Sequence, residues 1–473
     1  MNIDIIGRKE EQAELREYAK SKRPEFVVIY GRRRVGKTFL VRQTFHNEFD
    51  FSFTGIASAT MSEQLEGFSA ALRKYGKIDH DVPKNWFEAF DMLTHLIEQS
   101  TSKKKVIFLD EMPWMDTKKS KFVSALEHFW NGWASGRSDI LLIACGSATS
   151  WMTNKLFLNK GGLYNRVTQQ ILLEQFTLAE CREYFERASM RVSDYDILES
   201  YMIFGGIPYY LSLMNKKLSI AQNVDKLCFG ANPKLRNEYD SLYQSVFAKP
   251  ERYIEVVTVL SSKRTKGLSR DDIVKQVSFP DGGNLSKILR ELEQSGFIRK
   301  YPPFDGNKKG ALYQLCDFFT LFFLKYMQTG KNNDPHYWSA SRETSSSRAW
   351  KGYAFEQVCL AHIPQIKRTL SIAGVISNIS AWRSKSSTPG AQIDLLIDRN
   401  DGVINMCEMK YSKYEYTLTK EDKDDFERKE RVLRLETKTK KAIHRTLVTP
   451  YGIKDNSYAP IVQSVIDADG LFS

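Results

Sequence analysis

The chain has 473 residues, 42% hydrophobic and 12% aromatic, enough for about three packed domains and too apolar for extended disorder. Lys and Arg total 69 against 57 Asp and Glu, a net charge of +12 that suits a polyanionic partner. Six scattered cysteines with no C-x-x-C pair, seven histidines without ligand spacing and no apolar run near the ~20 residues of a bilayer span argue against a disulfide scaffold, a structural zinc protein and a membrane protein, and point to a reducing, cytoplasmic setting.

Up to about residue 173, short apolar runs alternate with amphipathic stretches. The runs are Phe26–Tyr30, Val106–Leu109 and Ile140–Ala144. Nearly all-apolar strands separated by helices predict an α/β domain with a parallel sheet covered on both faces. The first run leads into Gly31-Arg32-Arg33-Arg34-Val35-Gly36-Lys37-Thr38, a full match to G-x-x-x-x-G-K-S/T between a strand and a helix. Such a loop turns backbone N–H groups toward a phosphate, and the helix N-terminus adds its positive dipole end. Lys37 is placed to bridge the β- and γ-phosphates of ATP, and Thr38 to ligate Mg²⁺.

The second run ends in Asp110-Glu111. Asp110 is expected to serve the Mg²⁺ and Glu111 to polarise the attacking water. The third ends in Cys145-Gly146-Ser147, where Ser147 either reaches the γ-phosphate or water, or caps the next helix. Arg166 is a candidate arginine finger, in cis or across a subunit interface through self-association.

These motifs, with Ile6-Gly7-Arg8-Lys9-Glu10-Glu11 and Gly205-Gly206-Ile207-Pro208, resemble the prokaryotic AAA+/STAND-type ATPases of the archaeal ATPase family. The resemblance implies a P-loop NTPase core at 1–173 and a helical lid at 174–245, with Gly7, Arg8 and Pro208 as nucleotide contacts. It also implies a winged helix and a C-terminal nuclease-like domain of the kind designated DUF234. One departure is the lack of a convincing sensor-2 arginine in the lid.

Residues 250–330 read as helix, turn, helix and hairpin. Leu285, Ile288, Leu289 and Leu292 form a core stripe, and Asn284, Lys287, Arg290 and Gln294 the opposite face. Lys287, Arg290, Lys308 and Lys309 are candidate DNA contacts; the alternative is a winged helix that docks protein. This region is the most basic, with +5 over 251–350. Polar residues 331–347 read as a linker.

Residues 348–473 return to an α/β pattern. Glu356 lies in a helical stretch, Asp394 and Glu408 on two strands flanking the turn Asp398–Gly402. A loop centred on Asp401 sets Asp394 opposite Glu408, with Lys410 on the face of Glu408, unless a one-residue bulge intervenes. This block looks like the PD-(D/E)xK nuclease superfamily, a restriction-endonuclease-like fold, with Ile393 in place of the motif's proline. The resemblance implies Mg²⁺ held by Asp394 and Glu408, with Lys410 and Glu356 assisting. Lys420–Lys441 reads as a solvated helix. The reading is an ATP-hydrolysing protein that binds DNA and cleaves it through the last domain, or, alternatively, a non-catalytic ATP-dependent regulator or scaffold. A small-molecule kinase fits poorly, since nothing resembles an acceptor pocket.

Overall fold

The apolar runs of the first 173 positions become the centre of one parallel sheet. In the computed structural model, which describes residues 5–77, 80–158, 162–163, 165–247, 249–262, 267–302, 304, 310–328, 334–384 and 387–473, five strands appear here. They are β1 (Glu25–Tyr30), β2 (Phe51–Thr54), β3 (Lys105–Asp110), β4 (Ile140–Gly146) and β5 (Gln169–Leu172). Their order is β2-β3-β4-β1-β5, all parallel. The three strands found from sequence are the inner ones and are buried almost throughout. The two edge strands were not foreseen. Phe51–Thr54 is short and half-exposed, and Gln169–Leu172 begins with two glutamines, so neither shows an apolar run.

Helices Met61–Gly76, Trp86–Glu98 and Phe122–Gly132 supply the aromatic side of the core. Phe68 and Trp86 meet edge to face at 5.4 Å, as do Trp86 and Phe122 at 4.9 Å, and all three are fully buried. Each such side chain contributes roughly 1.5–3 kcal/mol by leaving water, which holds the strand ends in place.

The chain divides into two units, one of residues 1–175 and 244–248, the other of 176–243 and 249–473. The expected lid, 174–245, starts two residues before the second unit does. In the second unit, helix Asp194–Phe204 is buried from Ile197 to Phe204. Its Glu199 is fully buried and ion-paired with Lys351 at 2.8 Å and Arg342 at 3.4 Å. His362 is also fully buried, with Nδ1 2.8 Å from the Val358 carbonyl and Nε2 accepting from the Leu178 N–H at 3.0 Å. Burial pulls its pKa down to about 4, so the ring is a neutral tether between helix Leu178–Arg187 and helix Ser345–Ala361.

The segment expected as a linker is structured over its described part. Helix Tyr337–Ser341 carries Trp338, fully buried, whose backbone N–H donates to Asp225 Oδ1 at 2.7 Å. Its polar composition hid a single large anchor.

Helices Glu251–Ser262, Arg270–Val274 and Gly283–Gln294 accompany a three-stranded antiparallel sheet, in which β6 (Leu268–Ser269) lies between the first two helices and β7 (Ile298–Tyr301) and β8 (Leu312–Leu315) follow the third, in order β6-β8-β7. Leu285, Ile288, Leu289 and Leu292 are buried as their spacing requires. The last block is a mixed sheet of β9 (Ser377–Arg383), β10 (Gln392–Arg399), β11 (Val403–Met409), β12 (Ala442–Val448) and β13 (Ser464–Ile466), ordered β13-β12-β11-β10-β9. β9, β10 and β11 run antiparallel, and the helix Lys420–Thr437 crosses over to the parallel β12.

Candidate functional site

Strand β1 ends at Tyr30, and the chain turns at once. Gly31 sits at φ +135°, where a Cβ would collide with the Leu173 carbonyl oxygen, so only glycine fits. Gly36, at φ +97°, closes the loop ahead of the helix Lys37–Thr44. Val35 is buried, while Arg32, Arg33 and Arg34 are half-buried along the loop. β4 lies between β1 and β3, so the C-terminal ends of these three strands share one crevice, where open α/β sheets bind ligands.

The side chains the sequence singled out meet there. Lys37 Nζ donates at 3.0 Å to the Gly31 carbonyl, the Arg32 carbonyl and Ser147 Oγ. Thr38 Oγ1 lies 3.1 and 3.0 Å from the two carboxylate oxygens of Asp110. Ser147 Oγ donates to Glu111 Oε1 at 2.7 Å, and its N–H to Glu111 Oε2 at 3.2 Å. Ser147 therefore joins the ammonium to the carboxylate. The helix that follows, Thr149–Met152, has Ala148 at its N-cap and no side-chain cap bond.

Burial dominates the electrostatics of this site. Burial pushes the pKa of Asp110 up, and neighbouring Glu111 adds to it, against the lowering hydrogen bond from Thr38. Burial likewise pushes the pKa of Lys37 down, opposed by Glu111, Cys145 and Asp110. Glu111 also adopts φ +46°, a left-handed conformation that costs a non-glycine residue about 1–2 kcal/mol. Such strain survives where surrounding contacts fix it, here the two bonds from Ser147. Sequence reasoning gave these residues but not the strain or the Lys37–Ser147–Glu111 chain.

The remaining nucleotide candidates lie on other segments of the chain. Gly7 and Arg8 have positive φ, and the buried Arg8 guanidinium donates to the Glu174 carbonyl and lies 3.5 Å from Glu11. Pro208 opens the helix Pro208–Ser212 in the second unit. Arg166 lies exposed in the turn ahead of β5.

Lys287 and Arg290 are exposed on helix Gly283–Gln294, with Lys287 Nζ 4.0 Å from the buried Glu291. Lys308 and Lys309 lie outside the described residues.

The C-terminal hairpin has the expected register. Leu395↔Cys407 and Asp398↔Ile404 both sum to 802. The β10–β9 pairing, rather than the hairpin, shifts by one residue between Ile393 and Leu396. Ile393 and Leu396 consequently enter the same core cluster, which strict alternation forbids. Among the described residues, no group of three or more His, Cys, Asp or Glu side chains is placed to hold a metal. Asp394 and Glu408 are both buried, Glu356 is half-buried on the helix Ser345–Ala361, and Lys410 is 3.7 Å from Asp422. Glu408 Oε1 instead contacts Lys429 Nζ at 2.5 Å, and the same Nζ lies 2.8 Å from Asp425 Oδ2.

Lys429 and Asp425 were not read from sequence, because residues 420–441 looked uniformly solvated. A signal was present: Phe426, Lys429 and Leu433 recur at helical spacing and are all buried.

Comparison with known proteins agrees with the first crevice. Residues 5–214 match a family described as an ATPase domain predominantly from Archaea. This part of the chain is therefore similar to an ATPase domain. An uncharacterized protein of Methanocaldococcus jannaschii is 24% identical over 438 residues, 91% of this chain and 93% of the relative. A Walker-type ATPase of Pyrococcus abyssi superposes with a TM-score of 0.51 at 16% identity, over 68% of this chain and 96% of that one, which shows a shared fold. Among the described residues no helix is long and apolar enough to cross a membrane.

Proposed function

We propose that the ATPase domain binds Mg–ATP at the phosphate loop and hydrolyses it, as a switch for a DNA-binding second unit. The observation that carries this is the convergence of Lys37, Thr38, Asp110, Glu111 and Ser147 at the ends of β1, β3 and β4. Thr38 and Asp110 are hard oxygen donors of the kind that hold Mg²⁺ with few protein ligands, and the raised pKa of Asp110 marks a carboxylate that gains from a nearby cation. When bound with ATP, the ion neutralises charge on the phosphates. Lys37 would then exchange its loop carbonyls for phosphate oxygens. Ser147 would hand one of its bonds to the γ-phosphate or the attacking water, and Glu111 would orient that water. Gly7, Arg8 and Pro208 are proposed nucleotide contacts, and Arg166 a finger on the transition state.

The order of helices and strands over 251–315, with Lys287 and Arg290 outward, supports a winged helix on DNA. The antiparallel β9-β10-β11 meander with a helical crossover to β12 supports a nuclease-like C-terminal fold. A second reading of that domain, a binding module without turnover, is favoured by the Lys429 ammonium on Glu408. Asp394, Glu408 and Glu356 as arranged do not fit a Mg²⁺ site, and we derive no cleavage step from them.

The test is Glu111→Gln. We expect ATP binding to persist and the rate of phosphate release to fall by roughly 10²–10⁴. Loss of binding with no separate effect on rate would contradict the role given to Glu111.

A further inference from the structure

The bonds from Ser147 reach the Glu111 carboxylate, but the strained backbone beneath it is gripped from the other side. Strand β2 ends at Thr54, and the next residue lies against the turn that carries Glu111. The Gly55 N–H donates to the Asp110 carbonyl at 2.9 Å, and a Cβ on Gly55 would stand 2.6 Å from the Glu111 carbonyl oxygen. The turn closes with the Trp114 N–H on that same Glu111 carbonyl, at 3.1 Å. One side chain ties the loop and the turn together. Gln64 sits in the first turn of the helix Met61–Gly76 and is fully buried. Its Oε1 accepts the Ile56 N–H at 3.0 Å. Its Nε2 donates to the Ile56 carbonyl at 2.6 Å and to the Trp114 carbonyl at 3.0 Å. Both amide hydrogens are thus spent on backbone, one on each segment. A buried amide is kept where its bonds are made, and these bonds join the loop after β2 to the turn after β3.

We propose that Gln64 is a positioning residue for Glu111: it clamps the Glu111–Trp114 turn against the loop after β2 and so keeps the carboxylate where an attacking water needs it. This role rests on the ATPase reading and adds to it a residue that acts through Glu111. A backbone at φ +46° is unfavourable on its own and persists because its surroundings over-determine it. With the clamp removed, the turn relaxes and carries the carboxylate with it, and a small misplacement of a catalytic group is expensive in rate. The phosphate loop and Lys37 lie on a different strand end, so nucleotide affinity stays close to its starting value.

The experiment measures single-turnover hydrolysis of Mg–ATP, and its affinity, in full-length Gln64→Met, an unbranched apolar side chain that makes none of the three bonds. We expect the rate to fall at least about tenfold, with affinity within about twofold of the unsubstituted protein. In a Glu111→Gln background the same substitution should cost nothing further, because the carboxylate it positions is already gone. An unchanged rate, an affinity loss as large as the rate loss, or the same fall in the Glu111→Gln background overturns the inference. Should Gln64→Met fold poorly, Gly55→Ala takes its place, since its methyl group presses on the Glu111 carbonyl from the same side. The same rate loss, again absent in the Glu111→Gln background, is expected there, and an unchanged rate contradicts the inference. No turnover in the unsubstituted protein would remove the ATPase reading instead. The clamp is then judged by a crystal structure of the variant: a Glu111 still in its left-handed conformation overturns the positioning role, and one that has left it keeps that role standing.

Discussion

The two acidic sites solve the same electrostatic problem in opposite ways. In the ATPase domain, Asp110 and Glu111 are held by hydroxyls, Thr38 on one and Ser147 on the other. Hydroxyls satisfy lone pairs but bring no charge, and Asp110 keeps a pKa raised by burial and by Glu111. In the C-terminal block, Glu408 is held by an ammonium, and Asp425 shares it. Its lysine and arginine partners outweigh burial and pull the pKa of Asp425 below its ordinary value. A site whose acids are met by hydroxyls can take a cation that arrives with its ligand. A site that supplies its own cation is stable without one, and removing one partner of such a buried pair typically costs about 3–5 kcal/mol. Similar residue types therefore carry opposite readiness.

Two changes would sharpen or break this contrast. The larger is Ser147→Ala, which removes the hydroxyl between Lys37 and Glu111. We expect ATP turnover to fall roughly 10–10²-fold with nucleotide affinity little changed. Full turnover in a steady-state phosphate assay would reduce Ser147 to a local structural contact. The smaller concerns the helix Gly283–Gln294, which lies between the two sites in sequence. Arg290→Ala and Lys287→Ala should each weaken duplex DNA binding about equally across sequences and lower the salt slope by about 1. Unchanged affinity and slope in a salt titration would give that helix to a protein partner.

How much could be read beforehand differed by feature. The phosphate loop, Asp110-Glu111 and Ser147 were legible because each follows an apolar run, and the inner strands of a covered parallel sheet are apolar on both faces. The edge strands Phe51–Thr54 and Gln169–Leu172 were not, since an edge needs burial on fewer sides. The hairpin register came from the turn at Asp398–Gly402, whose length sets the pairing. The shift in the β10–β9 pairing was invisible, because nothing in Gln392–Leu396 announces an extra residue. Trp338 shows the limit of composition: a polar stretch was read as a linker, but one indole buried among Phe322, Tyr326 and Trp350 fixes it. Lys429 shows the limit of charge counting, since a lysine on a highly charged helix reads as solvated until its place on the buried stripe is noticed.

The central claim is that the crevice at the ends of β1, β3 and β4 hydrolyses ATP. Its most direct test is Mg²⁺-dependent phosphate release from ATP by the purified full-length protein, compared with Lys37→Ala. We predict measurable turnover in the unsubstituted protein and a loss of at least about 10²-fold in the variant, since a charge aimed at the transferring phosphate is removed. Equal turnover by the two proteins would contradict the claim.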